Sequence, residues 1–242
     1  MWWRSRDGLP PALQARRHEL MYEVTDRRGE DEGALERTYW IVFHDYSQTA
    51  ITVVYWGSVK APTNYLPLTQ EHRAPPPPLR QDQLEGFYSR FGAKIRDAAS
   101  GVVGQVVGDG EPQTLLTYVY KKVPGTLRSA GVRTHGAAIY VNLANASVQQ
   151  FDEIRPGDVV SFRNAKFQGH KGGLHQKYSV EVGKPDHCAV VLEWDGTKRK
   201  VKVVEQAKGR VRVESYRLGD LKSGEVKVYR VVGREYVGWK SE

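Results

Sequence analysis

The sequence predicts an α+β protein. Three observations carry the prediction: a β-rich opening, two amphipathic helical stretches near the middle of the chain, and a run of short strands separated by turn signals from residue 157 onward. With 242 residues, 40% apolar and 26% charged, the chain is long enough for a sizeable core and has a globular composition.

Residues 1–60 form a β-rich N-terminal extension. Residues 20–25, 39–44 and 51–55 are rich in β-branched and aromatic side chains and are expected as strands, the last two joined as a hairpin across the turn-prone Asp45-Tyr46-Ser47. The charged run 26–37 between the first two is expected as a solvated loop. Residues 61–81 are expected as an extended, proline-rich connector, because proline fixes φ and supplies no backbone donor; they contain Pro62, Pro67 and Pro75-Pro76-Pro77-Pro78.

Residues 82–242 are expected as the main domain, packed with the extension as one compact unit. Its first helix spans residues 82–100, where Leu84, Phe87, Tyr88, Phe91, Ile95, Ala98 and Ala99 recur at spacings of three and four before Gly101. The second, residues 112–123, begins with Pro112 at the first helical position, after the tight turn Gly108-Asp109-Gly110-Glu111. Strands follow at 157–163, 188–194, 200–206, 210–218 and 225–232, which suggests an antiparallel sheet or half-barrel. Alternation predicts that Val201, Val203, Val211, Val213, Val226 and Val228 share a core face. Lys200, Lys202, Arg210, Arg212 and Lys227 then make the opposite face strongly basic. Residues 166–184, with their glycines and histidines, are expected as a loop over a cleft.

One cysteine, Cys188, excludes an internal disulfide and a cysteine-based zinc cluster, and fits a reducing, cytoplasmic setting. His170, His175 and His187 have no matching cysteine or carboxylate set, so no metal and no cofactor is expected. The balance of 36 basic against 28 acidic residues, net +8, points to acidic partners such as an acidic protein surface or anionic lipid. Nucleic acid is not expected, because the basic strands lack interleaved aromatic platforms.

The segments Gly157-Asp158-Val159-Val160-Ser161-Phe162-Arg163, His187-Cys188-Ala189-Val190-Val191-Leu192 and Val203-Val204-Glu205-Gln206 resemble the half-barrel of papain-like amidases of the CHAP and NlpC type. In that family a strand opening with Gly-Asp precedes one that begins with the catalytic histidine, and a carboxylate on the next strand orients it. The resemblance gives His187 the place of the base and Glu205 that of the orienting acid. It places the nucleophile after the turn of residues 107–111, where this sequence has Pro112 instead of a cysteine. A thiolate activated by imidazole and by a helix N-terminus is what that chemistry needs, and proline supplies none. Cys188 is adjacent to His187 on a strand and so points to the opposite face. The nearest hydroxyl is Thr114.

A longer set of strings is similar to the C-terminal cysteine-proteinase-fold domain of fungal SH3-containing proteins of the cortical actin patch, the myosin-tail-interacting factors of Bbc and Aim type. They include Trp2-Trp3, His44-Asp45-Tyr46-Ser47-Gln48-Thr49, Pro75-Pro76-Pro77-Pro78-Leu79-Arg80, Gln149-Gln150-Phe151-Asp152-Glu153-Ile154-Arg155-Pro156 and Gly238-Trp239. This resemblance implies a non-catalytic scaffolding module of a larger cytoplasmic protein, linked to type I myosin and to regulation of actin nucleation. Its partners would be SH3 domains, type I myosin, actin or nucleation factors. The alternative is a hydrolase or amidase using His187 and Glu205 with a relocated nucleophile such as Thr114. Pro75, Pro78 and Arg80 fit the Pro-x-x-Pro-x-Arg pattern of an SH3 ligand, with a stiff connector as the other reading. Lys200, Lys202, Arg210 and Arg212 are a candidate patch for anionic partners, with a solvated face as the other reading.

Overall fold

A computed structural model describes residues 1–171 and 176–240, which fall into two compact units, Met1–Pro77 and Pro78–Glu242. The first unit is a five-stranded antiparallel sheet. Its strands are β1 (Leu20–Arg28), β2 (Ala34–Phe43), β3 (Gln48–Ser58), β4 (Ala61–Tyr65) and β5 (Thr69–Arg73), in the order β1-β2-β3-β4 with β5 also paired to β3. The short helix α1 (Pro11–Gln14) follows the opening turn at Trp2–Arg4. Trp3 and Leu9 cover the face formed by Tyr39, Ile41, Ile51, Val53 and Tyr55, the alternate residues of β2 and β3.

Two expectations change here. The charged run 26–37 is mostly strand, because its charges meet across the ladder: Asp26 lies opposite Arg37 and accepts its Nε–H at 2.6 Å, and Arg27 lies opposite Glu36. Only residues 29–33 turn. The stretch expected as a connector is extended, yet residues 61–65 and 69–73 pair with β3, and the unstructured remainder ends in the four exposed or half-exposed prolines.

In the second unit α2 (Gln81–Ser100) and α3 (Pro112–Lys122) pack on a seven-stranded antiparallel sheet. The strands are β6 (Ala137–Leu143), β7 (Ser147–Gln150), β8 (Val159–Lys171), β9 (Gln176–Asp195), β10 (Lys200–Ala207), β11 (Arg210–Arg217) and β12 (Leu221–Arg230), in the spatial order β11-β10-β9-β8-β12-β6-β7. Phe91, Ile95 and Ala99 of α2 and Leu115, Leu116 and Val119 of α3 meet Val159, Cys188, Val190, Val204 and Val211 of the sheet. Among the described residues no helix is long and apolar enough to cross a membrane.

The Gly157-Asp158 pair holds this architecture together. Gly157 has φ +95, and a Cβ there would strike the carbonyl of Gly92 in α2, so only glycine lets helix and strand approach so closely. Asp158 and Arg230 are both buried, joined at 2.6 Å, and Arg230 also reaches Asp152 at 3.0 Å and the Leu84 and Glu153 carbonyls. One guanidinium thus links β12, the turn before β8 and the first turn of α2.

Residues 166–171 and 176–184 are not a loop: they belong to the long β8–β9 hairpin, paired from Ala165↔Val182 out to Lys171↔Gln176, and the rest of the expected loop lies outside the described residues. The basic face also divides. The β10–β11 register sets Val201 opposite Tyr216, Val203 opposite Glu214 and Glu205 opposite Arg212. Odd positions of β10 therefore share a face with even positions of β11. Arg210 and Arg212 point with Val201 and Val203, whereas Lys200 and Lys202 point with Val211 and Val213. Val203 and Val204 are both fully buried, so both faces of the sheet are covered here.

Candidate functional site

The residues that face the N-terminus of α3 follow from the strand alternation. Cys188 and Val190 of β9 and Val204 of β10 lie in the core beneath the helices, and Gln206, two residues beyond Val204, shares that face. Gln206 is fully buried and binds the turn leading into α3: its Oε1 accepts from Val107 N at 2.8 Å, and its Nε2 donates to the carbonyls of Val107 at 2.9 Å and Glu111 at 2.8 Å. Gly108 and Gly110 take positive φ within this turn. Pro112 then starts the helix at N1, where its missing N–H is tolerated.

Gln113 closes the arrangement. Its Nε2 donates to the Gly131 carbonyl at 3.3 Å, and its Oε1 accepts from the Cys188 thiol at 3.4 Å. Burial pushes the Cys188 thiol well above its ordinary range, with the Asp186 and Glu205 charges acting the same way, so no thiolate forms at neutral pH. Thr114 is engaged locally, its hydroxyl donating toward the Asp109 carboxylate and the Glu111 carbonyl. The face that a papain-like enzyme would use therefore holds Gln113, Cys188 and Gln206.

His187 and Glu205 lie on the other face. His187 sits opposite Phe162 on β8, with its ring 6.1 Å from that ring, and Phe162 packs against Phe167 and Tyr216. His187 Nε2 and Glu205 Oε2 are 2.9 Å apart. Glu205 also accepts from Tyr216 OH at 2.7 Å and Arg212 Nε at 2.9 Å. Burial pushes the Glu205 carboxyl upward, but these three donors outweigh it and hold the group below its ordinary value. Among the described residues no hydroxyl or thiol hydrogen-bonds the imidazole. The base and orienting acid inferred from sequence meet each other but turn away from Pro112 and Thr114. Strand alternation counted from Val190 and Val204 was the signal that identifies Cys188 and Gln206 instead; Gln113 carries no comparable local signal.

The other candidate residues are dispersed. Pro75 and Pro78 are exposed in the irregular segment before α2, and Arg80 caps that helix while holding Asp82 by two contacts of 3.0 Å. Lys202 pairs with Glu193 at 2.8 Å, and Arg212 with Glu205. No group of three metal-ligating side chains occurs among the described residues; His170 lies on β8, and His175 lies outside them.

A glycine-rich turn feeding a helix N-terminus against adjacent antiparallel strands defines a cysteine-proteinase fold, here without a cysteine at the helix. The chain belongs to the AIM3/BBC1 cysteine proteinase-fold domain family, whose model matches residues 69–241. It is 38% identical over 241 residues to an SH3 domain-containing protein of Schizosaccharomyces pombe, an alignment that covers 98% of this chain and 15% of that relative. The chain thus spans a small part of the relative's length. No solved structure matches it.

Proposed function

We propose that the chain is a pseudoenzyme: a papain-like amidase fold, built on a half-barrel, that serves as a protein-interaction and scaffolding module. The observation that carries the reading is the closed set Gln113, Cys188 and Gln206 at the helix N-terminus, where thiolate chemistry would need a nucleophile, an imidazole and its orienting partner. Two of these three side chains are spent on holding backbone groups, and the third is a buried, protonated thiol.

The SH3-containing relative and the family match support a place in a fungal cytoplasmic protein of the cortical actin patch, linked to type I myosin and to control of actin nucleation. Within that setting the exposed Pro75-x-x-Pro78-x-Arg80 segment serves as an SH3 ligand, since a preformed polyproline helix with a flanking arginine matches that groove. Alkylation of the folded chain by iodoacetamide at neutral pH tests the loss of catalysis. Cys188 is predicted to react more slowly than the same residue in urea. Faster reaction in the folded state, abolished by His187→Ala, would refute the reading. Titration with SH3 domains, followed through the amide signals of residues 75–83, tests the partner class, and unchanged signals would remove it.

A further inference from the structure

Strand β11 stands at one end of the seven-stranded sheet, so one of its sides has no neighbouring strand. Which backbone groups point off that side follows from one contact. Val211 donates its N–H to the Gln105 carbonyl and accepts from Gly104 N, each at 2.8 Å. Alternation then turns the N–H and C=O of Val213, Ser215 and Arg217 outward as well. Ser215 N–H donates to the Glu214 carboxylate at 2.9 Å, a local contact that an incoming carbonyl can replace. The two groups of Val213 and the Ser215 carbonyl have no partner among the described residues. The β10–β11 ladder runs from Ala207↔Arg210 to Lys200↔Arg217 without a bulge, so nothing twists this edge away from another strand.

The two ends of the open edge differ in chemistry. At one end Val213 is 42% exposed, and Val103 and Val106, on either side of the loop contact to Val211, are exposed too. At the other end Arg217 lies directly opposite Lys200, on the same sheet face as Val213, and the carbonyl of Arg199 accepts from Leu218 N next to them. Asp195 lies opposite Lys200 on β9 but is held by Lys198 at 3.0 Å, and Asp220 is held by the Tyr178 hydroxyl. Arg217 spends one N–H on the His170 carbonyl. Arg199, Lys200 and Arg217 therefore have no carboxylate partner among the described residues, and this end carries unspent positive charge. Four residues, about 13 Å of extended chain, separate it from Val213.

We propose that β11 is a docking edge for an extended acidic segment of a partner protein, which adds to the sheet antiparallel to β11. Antiparallel pairing is the stronger arrangement per residue. In that register an aliphatic side chain of the segment rests against Val213, and an acidic side chain four positions nearer the segment's N-terminus meets Arg217 and Lys200. Backbone hydrogen bonds at Val213 supply affinity for any sequence, and the two side-chain positions select among sequences. The added strand stops where Gly104 and Gln105 already occupy Val211. This surface is separate from the Gln113, Cys188 and Gln206 set and from Pro75, Pro78 and Arg80, and does not rest on the function assigned to either.

Selection of phage-displayed random peptides on the intact chain tests the proposal. Enriched peptides are expected to carry Asp or Glu four positions before Val, Ile or Leu. A synthetic peptide of the enriched sequence should shift the amide signals of residues 213–217 and slow hydrogen exchange at Val213 N–H. Val213→Pro removes an N–H that β10 does not use, so the fold tolerates it as an edge proline, while affinity should fall about tenfold with the lost interstrand hydrogen bond. Reversing the cationic end with Lys200→Glu and Arg217→Glu should switch the selected residue from acidic to basic, a readout that mere loss of stability would not produce. Lys94→Glu with Lys121→Glu, on α2 and α3, should change neither affinity nor selection. Failure to enrich any peptide, enrichment without the acidic and aliphatic pattern, or signal changes confined to other elements would overturn it. Unaltered affinity in Val213→Pro, or acidic selection retained after charge reversal, would overturn it equally.

Discussion

Replacing Gln206 by alanine should destabilise the second unit by about 2–4 kcal/mol, a figure built from its contacts. The side chain makes three hydrogen bonds of 2.8 to 2.9 Å to the turn before α3. Glu111 is exposed, so its carbonyl finds water when the amide is removed. Val107 is 9% exposed and its carbonyl keeps the Gly110 N–H at 3.1 Å, so only its N–H is left largely unpaired, at roughly 1–3 kcal/mol. The cavity left by a side chain with no exposed surface adds a further contribution of order 1 kcal/mol. Urea unfolding at constant m-value reads the change directly, and the near-isosteric Gln206→Met separates hydrogen bonding from volume. If both variants lose less than about 1 kcal/mol, Gln206 does not fasten the turn and the account of the α3 N-terminus fails.

Three further predictions concern the buried polar groups. Burial drives His135 down to about 3 against an ordinary value of 6.5; a base depressed on folding contributes stability above its unfolded value and loses it as pH falls, so lowering pH from 7 to 5 should cost about 2 kcal/mol in urea titrations, and His135→Gln should flatten that slope. Glu205, held below its ordinary value, contributes stability that is present above that value and lost as pH falls through the folded one; the stability curves of the wild type and Glu205→Gln should therefore converge in acid, and parallel curves would contradict the pairing. Arg230→Met should destabilise by about 3–5 kcal/mol because Asp158 and Asp152 lose their buried cation, and adding Asp158→Asn should recover part of it; additive losses would contradict the network.

Local signals explain which parts of this architecture are legible in the sequence. The apolar spacing of Leu84, Phe91, Ile95 and Ala99 marks α2 because a helix face is a local pattern, and Pro112 after a glycine-rich turn marks the start of α3 for the same reason. Residues 26–37 look solvated because the partners that neutralise them lie across a hairpin. Residues 166–184 look like a loop in the sequence because their glycines and charges obscure the alternation of the paired stretches 166–171 and 176–182. The basic stripe divides because the β10–β11 register offsets odd against even positions, which the alternation of each strand alone does not reveal. The same one-residue logic governs the candidate site: the His187 and Glu205 motif is visible as letters, but burial of the neighbouring Cys188 and of Gln206 decides which face meets α3. The Gly157-Asp158 signature proves structural, since its glycine admits α2 and its carboxylate anchors Arg230.

The most direct test of the central claim is to install a thiol at the helix N-terminus by Gln113→Cys and measure its alkylation rate against pH, alone and together with His187→Ala or Cys188→His. With Cys188 facing α3 and His187 turned away, the introduced thiol should react at an ordinary rate that His187→Ala leaves unchanged. Adding Cys188→His should bring an imidazole beside it, accelerate alkylation and extend it to lower pH. Activation of the introduced thiol in the single variant, abolished by His187→Ala, would show that His187 faces the helix and would contradict the account.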